Sequence, residues 1–400
     1  MSKLPVNGTH PPLGTLIHDD TIQLVSVLGN GGYGVVFLGV DISSKRRRKY
    51  AVKCMSKAKG RRTAHVRELN FHLQVTGHPG VIECYGAVED DNFTYFIMEY
   101  ATSNDLFHQI LHEYRYLAQD DTIKYVFLQL IEGVQHCHKM GVFHRDLKPE
   151  NVMCFDDGHR VAITDFGLAT SDSSSCEFRT GSVYHMSPEC QAGHFREDAY
   201  SPVANDVWSL GIILVNMVTG RNPWKSATKE DPVYQNYLQA PLTFFSSVLP
   251  VSNPLNNLLV RVLNPEWKAR MSLHDFKHAI QDISTFYSVN VHFEGNLASS
   301  FTHITLILMS LAAHTLDSGT VGRILHLNSI LWLILILILI PTRHLLRLFH
   351  LIPRPSALGS CARSGKGSPC RDRRRRMLGW RTLLGPPIGI TDAFLHLLLM

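Results

Sequence analysis

The sequence lacks the features that would place it in several simple classes. None of its 8 cysteines forms a C-x-x-C pair, and no apolar signal-peptide core stands near Met1. These absences argue against a zinc cluster or a secreted disulfide scaffold, and they indicate a reducing compartment with free thiols. No internal repeat at a fixed period is present, which excludes a solenoid. Because hydrophobic residues make up 45% of the chain and charged residues only 18%, fibrous and wholly disordered chains are excluded as well.

Lysine and glutamate are nearly missing from the last quarter of the chain. Residues 1–293 carry 27 of the 39 Lys and Arg and 30 of the 34 Asp and Glu, a balance of −3. Residues 294–400 carry the other 12 basic and 4 acidic side chains, a balance of +8. We therefore expect a near-neutral body, large enough to bury a core and split into two lobes, joined to a basic and apolar tail.

Hydrophobic periodicity divides the body into a strand-rich part and a helical part. Val-, Ile- and aromatic-rich runs separated by turn residues predict strands, and apolar residues at helical spacing predict helices. Strands are expected at 22–28, 35–41, 50–55, 85–88 and 94–99, with a helix at 64–76. A long helix is expected over 125–140 and a buried one over 207–218, ending at Gly220. The order predicts a small strand-rich lobe followed by a larger helical lobe.

The first motif is a glycine-rich turn at residues 29–36 (GNGGYGVV). Glycines at this spacing let the backbone approach phosphate oxygens, with amide N–H groups as donors. An ordinary tight turn is the alternative, and for this motif alone it is the more common one. A dinucleotide site needs a helix directly after the glycines, but residues 35–38 (VVFL) predict a strand, so a nicotinamide cofactor is rejected.

A lysine at the end of an apolar strand is the second signal. Lys53 closes residues 50–53 (YAVK), where burial is costly unless an anion meets the ammonium group. A lysine that extends its charge to solvent is the alternative. Glu68, in the helix that follows, supplies a carboxylate that would orient Lys53 towards nucleotide phosphates.

The third signal combines residues 144–151 (HRDLKPEN) with Asp165 of a DFG sequence. Mg²⁺ prefers oxygen ligands and shares them with phosphates, and Asp165 and Asn151 supply a carboxylate and an amide oxygen. Asp146 provides a separate carboxylate for an attacking hydroxyl, and Lys148 a cation near the transferred group. These residue types in this order predict phosphoryl transfer.

With Ser187-Pro188-Glu189 closing the segment, residues 22–286 resemble a eukaryotic protein kinase. The resemblance implies an α+β, bilobal fold with a strand-rich N-lobe at 22–99, which carries one main helix, and a larger helical C-lobe at 100–286. Residues 1–21 are expected to form a flexible leader and residues 287–400 a poorly ordered tail.

The resemblance also implies a role for each motif residue. Asp146 would position the substrate hydroxyl and accept its proton, with Lys148 beside it, and Asn151 and Asp165 would hold Mg²⁺. Lys53, paired with Glu68, would contact the ATP phosphates. Met98 would be the gatekeeper, main-chain groups of Glu99 and Ala101 would meet adenine, and Asp105 would contact ribose. The full expected ATP site comprises Leu28, Gly29, Gly31, Gly34, Val36, Ala51, Lys53, Met98, Glu99, Ala101 and Asp105.

The substrate class follows from the same resemblance. Lys148 and Ser182 resemble their counterparts in Ser/Thr kinases, so protein serine and threonine hydroxyls are the expected acceptors, and no nucleic acid is expected to bind. Glu150 stands where kinases that favour basic substrates often have an acid. Residues 184–191 (YHMSPECQ), 71–73 and 126–131 resemble the fungal kinases that restrain meiosis and respond to nutrients.

Three further positions are expected to hold the segment in place. Asp206 resembles the buried aspartate that braces the catalytic loop, and Arg270 the arginine that pairs with Glu189. Arg145 usually pairs with an activation-loop phosphate, but here Phe178, flanked by Glu177, occupies the expected phosphate position. A constitutively ordered loop is one hypothesis and an ordinary polar loop is the other. The remaining candidate phosphorylation sites are Ser171, Ser173, Ser174, Ser175 and Thr180.

The tail leaves several alternatives open. Residues 330–340 are an unbroken apolar run, extendable to 324, whereas a spanning helix needs about 20 residues. Arginines after this run would place the kinase outside the cytosol by the positive-inside rule, unless residues 301–313 form the first leg of a hairpin. Membrane association, a misjoined end of the gene model and a buried helix are therefore all considered. The basic runs 45–49 and 371–376 are expected to be solvated, with nuclear import or an acidic partner as the alternative.

These observations lead to one expected function and two rivals. The chain is expected to be an active Ser/Thr protein kinase that uses ATP and Mg²⁺ in the cytoplasm or nucleus, with membrane association only through 301–340. A pseudokinase scaffold is the first rival, although the five residues Lys53, Glu68, Asp146, Asn151 and Asp165 are intact. A membrane-tethered kinase is the second.

Overall fold

The computed structural model describes residues 10–31, 34–57, 62–191, 198–289, 291–294 and 297–300. All of them lie in the first of the two compact units of the chain, Met1–Thr315. The second unit, Leu316–Met400, and with it the predicted membrane segment 324–340, lies outside the described residues. A strand-rich part precedes a helical part, which confirms the predicted α+β, two-lobed arrangement.

The N-terminal part is one antiparallel six-stranded sheet in the order β1-β2-β3-β4-β6-β5. The Val-, Ile- and aromatic-rich runs form its five longer strands, because branched and aromatic side chains pack well on a pleated surface. The strands are β1 (Leu16–Ile17), β2 (Ile22–Gly31), β3 (Gly34–Asp41), β4 (Lys49–Ser56), β5 (Cys84–Glu89) and β6 (Phe93–Glu99).

The short first strand lies within the segment that the sequence predicts to be a flexible leader. Leu16 pairs with Gln23 and Ile17 with Ile22, and the N–H of Gly14 donates to the carbonyl of Leu24 at 2.7 Å. Ile17 is buried. The edge of β2 thus gives residues 14–17 hydrogen-bond partners that a sequence pattern of two residues is too short to reveal.

One helix, α1 (Arg62–Val75), accompanies the sheet, and its buried face is unusual. Besides Val75 it buries His65, Glu68 and His72. A helix that serves only packing buries an apolar stripe, whereas this one buries three titratable side chains. The composition of this face indicates a polar site between α1 and its neighbours.

The helical part contains seven further helices and two hairpins among the described residues. The helices are α2 (Leu106–Leu111), α3 (Asp120–Lys139), α4 (Pro202–Thr219), α5 (Pro232–Gln239), α6 (Pro241–Val248), α7 (Asn253–Val262) and α8 (Leu273–Asp282). The antiparallel hairpins are β7 (Val152–Phe155) with β8 (Arg160–Ile163), and β9 (Val291–Glu294) with β10 (Leu297–Ser300).

The central helix α4 ends at Gly220 as predicted, but it begins at Pro202, five residues before the predicted start at residue 207. The hydroxyl of Ser201 accepts the N–H of Ala204, Pro202 occupies the first turn, and Gly220 ends the helix with φ 70°. Along the described part of the chain, α4 is the helix with the length and apolar composition of a membrane span, and 89% of that window is buried inside the protein. A core helix satisfies the same test, so α4 is explained by burial.

Three hydrophobic clusters position the site between them. The largest fills the helical part around α3 and α4, and a second lies on one face of the sheet. The third contains Phe96 and Met98 of the sheet together with Phe155 and Ala162 of the β7–β8 hairpin. Because its members come from both parts, this third cluster joins the sheet to the catalytic-loop hairpin.

Candidate active site

A buried ion-pair network joins the sheet to the helical part. Lys53, on β4, directs its Nζ to the Oε1 of Glu68 on α1 at 2.6 Å and to the Oδ1 of Asp165 at 2.8 Å. Burial alone would lower the pKa of Lys53, but the charges of Asp165 and Glu68 raise it above its usual value. Burial raises the pKa of the Glu68 carboxyl group. Burial would also raise the pKa of Asp165, but the charge of the Lys53 ammonium group outweighs it and lowers the pKa of Asp165. The three residues predicted from separate motifs therefore meet in one place.

The backbone at Asp165 is turned so that its neighbour packs inward. Asp165 has φ 67° and ψ 71°, a left-handed conformation that non-glycine residues adopt rarely. The ring of Phe166, fully buried, lies 5.0 Å from the ring of His72 on α1 and 5.0 Å from that of His144. Phe166 thus packs between α1 and the catalytic loop, which fixes the position of the carboxylate beside it.

The catalytic loop brings Asp146, Lys148 and Asn151 together. Asp146 Oδ2 accepts hydrogen bonds from Lys148 Nζ at 2.8 Å and from Asn151 Nδ2 at 3.2 Å. Asn151 Nδ2 also donates to the carbonyl of Asp146 at 2.8 Å, which leaves its amide oxygen as the atom able to meet a cation. The second carboxylate oxygen of Asp146, Oδ1, is buried and accepts no hydrogen bond from the described residues. A buried carboxylate oxygen without a donor is suited to receive a hydroxyl proton from an incoming molecule.

The carboxylate of Asp206, near the start of α4, accepts hydrogen bonds from the backbone of this loop. Its Oδ2 accepts the N–H of His144 at 2.9 Å and contacts His138 Nε2 at 2.9 Å, and its Oδ1 accepts the N–H of Arg145 at 2.8 Å. Arg145 has φ 65°, so these bonds stabilise a backbone conformation that is otherwise unfavourable. The expected bracing role of Asp206 agrees with this geometry.

The glycines of the predicted phosphate turn differ in their surroundings. Gly31 pairs with Gly34 across the β2–β3 turn, and residues 32–33 lie outside the described residues. A Cβ at Gly34, where φ is +150°, would lie 2.4 Å from the carbonyl oxygen of Cys54, so the sheet itself requires glycine there. A Cβ at Gly29 would meet nothing within 4 Å. The open space beside Gly29 is therefore the part of the turn that a phosphate could approach.

The predicted adenine side is formed by the strands and by the segment after β6. Met98 is buried in the third hydrophobic cluster and lies opposite Ala51 in the register of β4 and β6, so it packs in the core. Its gatekeeper role stays a prediction. The N–H of Glu99 donates a hydrogen bond to the carbonyl of Glu83. Its carboxylate forms an ion pair with Arg160, with 2.8 Å between Oε1 and Nη2. The other expected residues lie along this side: Leu28 exposed, Val36 and Ala51 half-buried, and Ala101 half-buried against the third cluster.

Asp105 has a structural task that the sequence analysis did not assign. Its Oδ1 accepts the N–H of His108 at 2.7 Å and caps α2. Burial raises the pKa of Asp105, and the hydrogen bond from His108 only partly offsets this. One carboxylate oxygen is therefore committed to the helix, and the other is the one that would reach a ribose.

Two histidines belong to the site although the sequence analysis named them only within longer motifs and gave them no role there. His72 lies one helical turn after Glu68, so the i, i+4 spacing was the available signal. Its Nε2 meets the carbonyl of Ile82 at 2.8 Å, and burial lowers the pKa of His72 to about 4. His144 Nε2 meets the carbonyl of Thr164 at 2.9 Å, next to Asp165.

The activation segment, which runs from Asp165 to Glu189, is anchored at its end by a buried bidentate ion pair. Arg270 Nη1 and Nη2 donate to Glu189 Oε1 at 2.6 Å and Oε2 at 2.9 Å, with both side chains almost fully buried. The guanidinium also lies over the ring of Trp208 at 4.9 Å. The predicted pairing of Arg270 with Glu189 is confirmed.

Comparison with known proteins agrees with this arrangement. The protein kinase domain family matches residues 22–281. A negative regulator of sexual conjugation and meiosis from Schizosaccharomyces pombe is 37% identical over 285 residues, which cover 66% of this chain and 60% of that protein. The predicted resemblance to eukaryotic Ser/Thr kinases, including fungal regulators of meiosis, is confirmed.

Other relatives are named as kinases outright. Serine/threonine-protein kinase ksp1 of the same yeast is 37% identical over 243 residues, covering 58% of this chain and 50% of the relative. The SNF-related serine/threonine-protein kinase of Homo sapiens is 31% identical over 260 residues, covering 64% and 32%. The chain therefore spans between a third and three fifths of the length of these relatives.

Proposed function

We propose that this chain, which belongs to the eukaryotic serine/threonine protein kinases, transfers the γ-phosphate of ATP to serine and threonine hydroxyls of proteins. The observation that carries the proposal is the state of Asp146. Its Oδ2 is held by Lys148 and Asn151, while the buried Oδ1 has no donor among the described residues. Such an oxygen can accept the proton of an attacking hydroxyl, and Lys148 beside it can stabilise negative charge on the transferred group.

The donor set fits ATP with Mg²⁺. Among the described residues no group of three or more His, Cys, Asp or Glu side chains is arranged to hold a metal ion. Asn151 and Asp165 offer one amide and one carboxylate oxygen, which suits an ion that takes its other ligands from phosphates and water. Bound Mg²⁺ would neutralise charge on the phosphate oxygens. Lys53, kept protonated by Glu68 and Asp165, would hold the phosphates from the sheet side.

A cavity beside the catalytic loop favours substrates with a basic residue near the acceptor. It has a volume of about 140 Å³ and is lined by Phe107, Ile110, Glu150, His185 and Asn216, among others. His185 Nε2 contacts the Oδ1 of Asn216 at 3.0 Å, and its buried Nδ1 has no partner among the described residues. Burial lowers the pKa of His185 to about 4, so the ring is neutral at pH 7.

The cavity lining offers the carboxylate of Glu150 as an acceptor and also carries the guanidinium of Arg221. A neutral His185 that donates through Nε2 presents Nδ1 as an acceptor, and Glu150 adds a carboxylate at the rim. An arginine or lysine side chain of the substrate would lay its apolar stem against Phe107 and Ile110 and donate to the carboxylate of Glu150. This supports acceptor sites in a basic sequence context.

The catalytic claim is tested by phosphate incorporation into a basic protein substrate. Asp165→Ala removes an expected Mg²⁺ ligand and a partner of Lys53, so transfer should fall by about a hundredfold or more. Asp172→Ala, which removes an exposed loop carboxylate, is the matched control and should retain activity. Equal transfer by wild type and Asp165→Ala would contradict the proposal and favour a pseudokinase scaffold that binds partners without chemistry.

We place this activity in the cytoplasm or nucleus, where ATP is available and thiols stay reduced. The six described cysteines, Cys54, Cys84, Cys137, Cys154, Cys176 and Cys190, are free, which supports the proposal. Membrane association through residues 301–340 stays a prediction.

A further inference from the structure

A charged contact holds the residue that precedes the proposed catalytic aspartate. The side chain of Arg145 is 1% exposed, and its Nη1 donates to the Oε2 of Glu177 at 2.7 Å. Its other hydrogen bonds go to the carbonyl of Leu168, from Nε at 2.7 Å, and to the hydroxyl of Ser175, from Nη1 at 3.2 Å. Glu177 is the single carboxylate that meets this guanidinium within the described parts of the chain. A buried guanidinium is costly without an anion, so this contact compensates its charge.

The backbone of Arg145 transmits this contact to the catalytic loop. Its left-handed φ of 65° and the hydrogen bond from its N–H to Asp206 fix one end of the residue, and Glu177 fixes the other. Asp146 is the next residue in the chain. The direction of its carboxylate therefore depends on both anchors of Arg145.

The activation segment contacts Arg145 at a second point. Gly181 has φ +110°, and a Cβ there would lie 2.4 Å from the carbonyl oxygen of Arg145 and 3.5 Å from Asp146 Oδ1. Between these two contacts, Thr180 Oγ1 donates to the carbonyl of Glu177 at 2.8 Å. The activation segment therefore packs directly against the catalytic loop at Glu177 and Gly181.

Apolar packing keeps Glu177 where Arg145 can reach it. Phe178, which the sequence analysis placed at the phosphate position, packs against Tyr200 with ring centroids 5.8 Å apart, in a cluster with Met186 and Cys190. Ser175 and Tyr200 exchange two backbone hydrogen bonds of 2.9 Å. The carboxylate of Glu177, and not the ring of Phe178, therefore occupies the place beside the guanidinium.

The pKa of Glu177 depends on nearby positive charges. The hydrogen bond and charge of Arg145 lower the pKa of Glu177, and the positive charge of Arg67 lowers it further. Arg67 directly precedes Glu68, the partner of Lys53. The geometric contact of Glu177 is therefore the one with Arg145 of the catalytic loop.

We propose that Glu177 is a positioning residue that takes the place of an activating phosphate, holding Arg145 and through it Asp146 in the arrangement needed for transfer. Kinases commonly order this segment by phosphorylation, which adds an anion for arginine to bind. Here a genetically encoded carboxylate supplies that anion, so the enzyme needs no phosphorylation of the segment. The inference rests on the proposed kinase activity and deepens it.

The test uses the full chain, treated with a broad-specificity phosphatase and shown by intact mass to carry no phosphate. Wild type should keep its kcat after this treatment. Glu177→Gln, which keeps the size but removes the charge, should lower kcat by about ten- to a hundredfold, the effect of losing one charge-assisted hydrogen bond to a buried group. Asp172→Asn is the matched control and should behave as wild type. Melting temperatures identify any variant that has merely unfolded.

A double-mutant cycle tests whether Glu177 acts on kcat through Arg145, and the melting temperatures show whether the fold is retained. If Glu177 acts through Arg145, Glu177→Gln should cause little further loss of kcat in an Arg145→Gln background. Additive losses would overturn the inference, as would a wild type inactivated by phosphatase or a Glu177→Gln variant with unchanged kcat. A phosphate-free wild type and a phosphorylated sample that both lack transfer would instead overturn the proposed kinase function itself.

Discussion

At the scale of single residues, the site is defined by how burial and charge oppose each other. Lys53 is buried but remains charged because Asp165 and Glu68 lie within 2.8 Å of its ammonium group. His72 and His185 are buried without a charged partner, so burial lowers the pKa of each to about 4. The first case stabilises a charge for binding phosphate, whereas the second keeps two rings neutral.

These two histidines predict a specific loss of stability in acid. Their folded-state pKa lies below the unfolded value of 6.5, so the unfolded chain binds the protons first and stability falls as the pH drops from 6.5 towards 4. Each histidine should lower the free energy of unfolding by about 2 kcal/mol between pH 7 and pH 5.

Urea unfolding at pH 7, 6 and 5 measures this loss. His72→Gln should be less sensitive to acid than wild type by that amount, whatever its stability at pH 7. Substitution of the exposed His274 by Gln is the control, because solvent reaches that ring in both states. An unchanged acid slope in His72→Gln would contradict the assignment.

At the scale of structural elements, the activation segment is held at its end and near its middle by two charged pairs of different exposure. At its end, Arg270 and Glu189 form a bidentate pair with side chains 1% and 3% exposed. Towards its middle, Arg145 is equally buried but Glu177 is 59% exposed. The first pair is sealed within the core and supports the fold, whereas the second remains accessible from the surface of the segment.

Removal of the buried anchor should destabilise the protein strongly. Arg270→Ala leaves the Glu189 carboxylate buried without its partner, and breaking such a pair costs about 3–5 kcal/mol. Lys277→Ala is the matched control, because it breaks the more exposed pair of Lys277 with Glu132 at 3.0 Å, which should cost less than about 1 kcal/mol. Thermal unfolding of both variants compares the two losses, and similar melting temperatures would contradict the expectation.

At the scale of the whole molecule, catalysis depends on contacts between the sheet and the helical part. Lys53 belongs to the sheet, Asp165 to the segment after β8, and Phe166 packs between His72 of α1 and His144. Each of these groups lies between residues 53 and 166.

Truncation after residue 300 should therefore leave kcat and KM for ATP unchanged. The residues proposed to bind ATP and to transfer phosphate lie between residues 28 and 165, and the match to the protein kinase domain family ends at residue 281. Steady-state assays of the full chain and the truncated chain measure the outcome, and loss of transfer on truncation would contradict it. Cell fractionation of the same two chains tests the separate prediction of membrane association through residues 301–340.

The sequence alone determined that a strand-rich part precedes a helical part and which residue types form the candidate site. Val-, Ile- and aromatic-rich runs between turn residues predicted the five longer strands, and helical spacing predicted α1, α3 and α4, because these patterns are local. The motifs around Asp146 and Asp165 predicted phosphoryl transfer because few reactions require that set of donors. These signals are local, so one chain sufficed to find them.

Tertiary structure decided what depends on residues distant in sequence. Burial of His72 and His185, the open oxygen of Asp146 and the strand formed by Leu16 and Ile17 all follow from neighbours in other elements. The partner of Arg145 is the clearest case. The sequence placed Phe178 at that position, but its ring gains more by packing on Tyr200, and the adjacent Glu177 meets the buried guanidinium because a charge there cannot remain unpaired.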